Sequence, residues 1–283
     1  MSEAKLSQGT IHYSESGEGP PIVFVHGLLV DGRLWRKVTP LLEDRFRCIV
    51  PDLPLGSHRT PMNPDADLSP PGLARIVAEF LETLALEDVV LVANDTGGAI
   101  SQITAANHPD RIGRLVLTNC DAFENFLPPA FRPMQWAARV PPLLTGTMQG
   151  MRFGPMRRLP NAFGRLIKRD FDGAPTREWV EPFLSNREIR RDTVKVLRGI
   201  DPRFTFEAAE KLRDFDRPAL LAWAVEDRFF KISFAEKLAD TIRGARLERI
   251  EDSYTFVPED QPERLAELIA RFAREPAPVA TER

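Results

Sequence analysis

The segment Leu91-Val92-Ala93-Asn94-Asp95-Thr96-Gly97-Gly98-Ala99 puts one carboxylate where a buried-strand pattern gives way to a helix. A turn that holds a reactive side chain in a strained conformation needs small residues beside it, and Ala93 and Gly97 supply them. At its centre Asp95 could act as a nucleophile, or, buried with a raised pKa, as a base. Asn94, Asp95 or Thr96 could instead merely cap the helix that follows. The ordinary proton carrier near neutral pH is histidine, and the chain has four: His12, His26, His58 and His108. None follows His108, so any chemistry in the C-terminal half works without an imidazole.

The surrounding pattern predicts how Asp95 is held. Ile22–Val25, Cys48–Val50, Val89–Val92 and Leu115–Leu117 are short apolar runs of the kind buried parallel strands show. Between them Leu34, Trp35, Val38, Leu41 and Leu42 fall on one helical face, as do Leu73, Ile76, Val77, Phe80, Leu81 and Leu84. Strand and helix in alternation predict an α/β fold, a mostly parallel sheet wrapped by helices. From 121 to 213 the alternation stops: there is no strand run, and prolines recur. It resumes with a strand over Ala219–Val225, a helix over Phe234–Ile242 and a strand over Leu247–Ile250. A last helix opens at Pro262 and buries Leu265, Leu268, Ile269 and Phe272. The expected organisation is a core of residues 1–120 and 214–283 carrying a helical insertion at 121–213, with the last nine residues frayed.

The strand-then-turn segments Val25-His26-Gly27-Leu28 and Pro51-Asp52-Leu53-Pro54-Leu55-Gly56, taken with the Asp95 turn, resemble the α/β-hydrolase superfamily. More narrowly they resemble its branch with an aspartate nucleophile: haloalkane dehalogenases, fluoroacetate dehalogenases and soluble epoxide hydrolases. The resemblance covers roughly residues 10–120 and 214–273 and implies a helical cap at 121–213. It implies that Asp95 attacks carbon to form an alkyl-enzyme ester and that the N–H groups of Leu28 and Thr96 form an oxyanion hole. It further implies that Asp227, in Glu226-Asp227-Arg228-Phe229 after the post-cap strand, is the acid that orients the histidine. Asn119 matches an asparagine of one dehalogenase group; His26, Trp136 and Trp179 are further possible pocket residues. Asp227 could also cap a turn, Asn119 could end a strand, and the two tryptophans could be packing anchors.

Where the branch has its histidine, this chain has Thr255, in Ser253-Tyr254-Thr255-Phe256-Val257-Pro258. A threonine hydroxyl is no general base near pH 7, so the ester could form while its hydrolysis lost a factor of ~10²–10⁴. His58, Asp252 and Glu259 are substitute bases to be tested against the geometry. The branch's other marks are missing too: Thr96 stands where dehalogenases hold a halide with Trp or Arg, Leu28 stands in place of a halide-binding Asn, and neither Tyr13 nor Tyr254 is in the insertion.

Composition narrows the readings. The chain is 43% hydrophobic and 28% charged, with a net charge of -3, which argues against nucleic acid as a partner. No apolar run is long enough to cross a membrane, and Met1–Gly9 lacks a signal-peptide core, so the expected location is cytoplasmic. Cys48 and Cys120 read as buried thiols, and no metal or cofactor motif is present. Residues 121–213 hold 14 Arg and 3 Lys against 11 acidic residues, which describes either a solvated arginine-rich surface or a basic lid over an acidic-substrate pocket. Three functions remain open: a cofactor-independent enzyme that hydrolyses an alkyl halide, epoxide or ester through Asp95; a ligand-binding protein on a hydrolase scaffold; and a lyase or isomerase using Asp95 as base. In each case the partner is a small molecule; the oligomeric state is left open.

Overall fold

The computed structural model describes residues 1–275; of the expected frayed tail, all but Glu275 lies outside them. Eight strands form one sheet in the order β1-β2-β4-β3-β5-β6-β7-β8. They are β1 (Ser2–Leu6), β2 (Gly9–Ser16), β3 (Pro21–Val25), β4 (Arg47–Pro51), β5 (Val89–Asp95), β6 (Ile112–Cys120), β7 (Ala219–Ala224) and β8 (Arg246–Ile250). Pairing is parallel from β4 through β8, while β1–β2 and β2–β4 are antiparallel. The apolar runs therefore lie in the parallel part. The edge hairpin β1–β2 escapes the sequence pattern because β1 is mostly exposed and buries only Ala4.

Two long helices pack together on the sheet, α2 (Thr96–Asn107) against β5 and β6 and α1 (Pro70–Thr83) against β1. The Ser69 hydroxyl caps α1 by accepting from Gly72 N, and Pro70 opens its first turn, where a missing N–H does no harm. The helix expected around Leu34–Leu42 is replaced by two 3-10 turns, Gly32–Trp35 and Thr39–Leu41. Pro40 has no N–H to continue an α-helix, and the bonds here run three residues back, Leu41 N to Val38 O and Leu42 N to Thr39 O. The expected inward face survives only in part: Leu34, Trp35, Val38 and Leu42 are buried, but Leu41 is exposed.

Between β6 and β7 the chain is helical: α3 (Arg132–Ala137), α4 (Pro141–Gln149), α5 (Gly154–Arg157), α6 (Thr176–Ser185), α7 (Arg187–Gly199) and α8 (Pro202–Leu212). After β7 come α9 (Ile232–Thr241), then beyond β8 the short α10 (Val257–Asp260) and α11 (Pro262–Arg274), which buries the four residues expected of it. Both cysteines are buried and free. No helix among the described residues is long and apolar enough to cross a membrane.

The sheet reaches the elbow at the end of β5. Pairing with β6 is irregular between Ala93 and Asp95, and Asp95 itself has φ 55° and ψ -135°. For a residue with a Cβ that conformation costs of order 1–3 kcal/mol and persists only where its surroundings fix it. Gly97 is part of that fixing: a Cβ there would lie 2.3 Å from His26 O and 2.8 Å from Val25 O, both backbone atoms. Gly97→Ala is therefore expected to lower stability by about 1–3 kcal/mol in urea unfolding, because the β3 loop and the elbow must part. An unchanged midpoint would show that this close approach does not constrain the turn.

Candidate functional site

The C-terminal ends of β5, β6 and β7 each deliver a carboxylate, Asp95 partly buried and Asp121 and Asp227 buried. Asp95 ends β5, and its Oδ2 accepts from Leu28 N at 3.2 Å. The neighbouring Thr96 N–H also favours the ionised form of this carboxylate. Asp227 lies three residues past β7, where its Oδ1 accepts from Phe229 N at 2.7 Å and Phe230 N at 3.1 Å. Its Oδ2 accepts from the Thr255 hydroxyl at 2.8 Å. Asp227 thus caps its own turn and faces the residue expected at the histidine position. Asp121, which directly follows β6, has Oδ2 3.1 Å from Thr96 Oγ1 and no partner for Oδ1. No sequence motif marks Asp121, and adjacency to a strand end is its only signal.

None of these bonds comes from Lys, Arg or His, and burial dominates the electrostatics. Loss of solvent pushes the Asp95 pKa up to about 7, against the pull of the Thr96 and Leu28 N–H groups and with a push from Asp227. Burial likewise raises Asp227 to about 6, partly offset by bonds from Phe229, Phe230 and Thr255. Burial and the nearby Asp95 charge hold Asp121 well above the usual carboxylate range.

Two asparagines brace these strand ends. Asn94 Nδ2 donates to Thr118 Oγ1 at 2.7 Å, Asn119 O at 3.2 Å and Thr255 O at 2.8 Å, tying the elbow to the Thr255 loop. Asn119 sits inside β6; its Oδ1 accepts from Ala224 N at 2.7 Å and its Nδ2 donates to Ala224 O at 3.0 Å. It therefore aligns β7 and the Asp227 turn, and it is not among the residues lining the cavity.

Above Asp95 lies a cavity of about 90 Å³. Leu127, Phe131, Met148, Met151, Phe163 and Leu166 make most of its wall, and Asp95, Thr96 and Asn161 are its polar lining residues. It is small beside ordinary ligand pockets of roughly 300–1,000 Å³ and fits a compound of a few carbons. No Arg or Lys lines it, so the positive charge of 121–213 does not reach Asp95. A larger open groove, about 560 Å³ around Arg75, Glu79 and His108, does not include Asp95.

Three further candidate pocket residues lie outside the cavity lining. Trp136 is 61% exposed and is not part of the cavity lining. Trp179 is buried behind the wall, its ring 5.5 Å from Phe163 and 5.7 Å from Phe256, with its indole N–H unpartnered. His26 lies under the loop: its Nδ1 bonds to Gly27 O at 2.9 Å and its Nε2 accepts from Leu53 N at 2.8 Å. Burial lowers its pKa, so it is a neutral brace for the loop that carries Leu28.

The substitute bases are engaged elsewhere. His58 is buried with Nε2 3.3 Å from Asp192 on α7. Glu259 pairs with Arg36 and with Lys37 at 3.2 Å, and Asp252 pairs with Arg169 and with Lys168 at 2.9 Å. None of the three lines the cavity.

The raised pKa values carry a stability consequence. A carboxyl raised in the folded state contributes stability that is full below its unfolded value, about 4, and is lost as pH rises through the folded value. That window ends near 6 for Asp227 and near 7 for Asp95. Asp95→Asn keeps an acceptor for Leu28 N and removes the charge. It is expected to raise the thermal midpoint by several degrees at about pH 8 and by much less at about pH 5. An equal effect at both pH values would contradict the burial argument.

Comparison with known proteins agrees with this fold. Residues 20–262 match the alpha/beta hydrolase fold family. Over 280 residues the chain is 29% identical to Haloalkane dehalogenase 2 of Mycobacterium tuberculosis, covering 94% of this chain and 92% of that protein. Over 276 residues it is 30% identical to the cis-3-alkyl-4-alkyloxetan-2-one decarboxylase of Xanthomonas campestris pv. campestris, covering 90% and 88%. The solved haloalkane dehalogenase DbeA of Bradyrhizobium elkani superposes with a TM-score of 0.76 at 22% identity, covering 95% of this chain and 96% of that one. An alpha/beta hydrolase fold protein from Burkholderia ambifaria does so at 0.81 and 21%, covering 95% and 97%. At such identities the structural likeness bears on the fold alone. With the family match over most of its length, the chain belongs to the α/β-hydrolase superfamily, in its haloalkane dehalogenase-like branch.

Proposed function

We propose that the protein is an enzyme that opens a small apolar electrophile (an alkyl halide, epoxide or ester) by nucleophilic attack from Asp95. One observation carries this reading: Asp95 stands at the apex of the elbow with one oxygen held by Leu28 N–H, and it lines an apolar cavity. With an alkyl halide, a carboxylate oxygen forms a bond to carbon, the carbon–halogen bond breaks, and the halide leaves with its electron pair. The product is an alkyl ester on Asp95, whose carbonyl oxygen the N–H groups of Leu28 and Thr96 would polarise. In this reading residues 121–213 are the cap that closes the site, over a core of 1–120 and 214–283.

Hydrolysis of that ester needs a water-activating base. Thr255 offers a hydroxyl already engaged with Asp227, and His58, Asp252 and Glu259 are tied up as described. The ester should therefore persist. A second reading follows from that absence and from the decarboxylase relative. When an oxetan-2-one loses carbon dioxide, two ring bonds break, an alkene forms and no water is consumed, so no such base is required.

Intact-protein mass after exposure to 1-bromobutane tests the first reading. A butyl adduct is expected on the wild type and none on Asp95→Asn. Because the carboxylate is the nucleophile, its rate should rise with pH through about 7 and then level off. No adduct on the wild type, and no product that depends on Asp95, would leave a binding protein as the better account. Alkene released from a cis-3,4-dialkyl oxetan-2-one, lost in Asp95→Asn, would favour the second reading.

A further inference from the structure

Asp121 takes no part in the steps above, yet it adjoins them. It is fully buried, its backbone N–H reaches Asp95 O at 3.4 Å, and its carboxyl meets the hydroxyl of Thr96, a residue of the cavity wall. A carboxylate with one unpartnered oxygen, buried beside another acid and bonded to no cation, is the form its surroundings disfavour. Burial and the Asp95 charge accordingly raise its pKa well above the ordinary range. The protonated acid needs an acceptor for its O–H, and Thr96 Oγ1 is the side-chain oxygen bonded to it. A hydroxyl hydrogen rotates to suit its partners. With Asp121 donating to Thr96, the Thr96 O–H is released to donate in turn.

We propose that Asp121, acting through Thr96, delivers a proton to an oxygen leaving group, which makes strained cyclic ethers of the epoxide class the preferred substrates of the cavity. The inference rests on the reading of Asp95 as nucleophile. As an Asp95 oxygen bonds to a ring carbon, the carbon–oxygen bond breaks and its electron pair stays on the ring oxygen. That oxygen takes the Thr96 hydroxyl proton, Thr96 takes the Asp121 proton, and Asp121 is left as a carboxylate. A departing halide needs no proton, so the relay separates the two classes of compound. The residue after the nucleophile, which lacks the indole or guanidinium of a halide site, thereby acquires a role suited to its own hydroxyl.

The experiment compares adduct formation by the full chain with 1,2-epoxybutane and with 1-bromobutane, by intact mass at about pH 8. Asp121→Asn and Thr96→Val are each expected to lower the epoxide-to-bromide rate ratio at least ~10-fold, and Thr96→Ser to restore it. A general weakening of the fold would slow both compounds together and leave the ratio unmoved. A ratio unchanged in both variants overturns the relay while Asp95 stands as nucleophile. No adduct from either compound on the wild type overturns the Asp95 reading and the relay with it. Should Asp121→Asn fail to fold, the Thr96→Val and Thr96→Ser pair decides the matter alone.

Discussion

Three carboxylates gathered at neighbouring strand ends, none bonded to a cation, set the terms for everything around them. The Asp227 charge pushes on Asp95 and the Asp95 charge on Asp121, in surroundings that screen charge poorly. Only dipoles hold them: the N–H groups of Leu28, Phe229 and Phe230, and the hydroxyls of Thr96 and Thr255. Dipoles act only at close range, so the backbone must come very near. At Gly27 a Cβ would stand 2.0 Å from Asp95 Oδ2, and at Gly98 one would stand 2.2 Å from Cys120 Cβ. An imidazolium at position 255 would have supplied the missing positive charge. Threonine supplies a hydrogen bond without it, and the acids respond by holding their protons toward neutral pH.

The acids around this centre do mechanical work. Asp260 accepts from Lys168 N and Arg169 N at 2.9 Å with one oxygen, and from Tyr254 N at 2.9 Å with the other. It thereby pins the loop that carries Thr255 to the non-helical stretch between α5 and α6. Glu259, through Arg36 and Lys37, anchors the next turn to the β3–β4 connection. Such networks position a site firmly and keep Asp260 and Glu259 from serving as its base. A mostly apolar wall then strengthens whatever electrostatic contrast Asp95 meets at the reacting carbon.

The parallel half of the sheet, α1, α11 and the strandless stretch were legible in the sequence because burial on both faces writes itself as apolar runs and 3.6-residue stripes. The hairpin β1–β2 was not, since an edge strand that buries little carries little pattern. Through Leu34–Leu42 the apolar stripe signals a helix, whereas Pro40, which lacks an N–H, signals its interruption. At the site, Asp95 and the absence of a C-terminal histidine could be read directly, because the elbow is a local motif and a count needs no structure. Asp121 could not: what distinguishes it is that β6 ends beside Thr96, a contact 25 residues apart in sequence. Trp136 and Trp179 show the same limit, as composition places a tryptophan in a helix without saying which way it faces.

The most direct measurement is infrared difference spectroscopy of the carboxylic-acid C=O band across a pH titration, with Asp95→Asn and Asp121→Asn to assign the signals. The account predicts a protonated carboxyl that disappears near pH 7 and is absent from Asp95→Asn. It predicts a second that persists beyond that point and is absent from Asp121→Asn. Ionisation of every carboxyl below about pH 5 would contradict it, because buried acids without a counter-charge cannot keep the pKa of solvated ones.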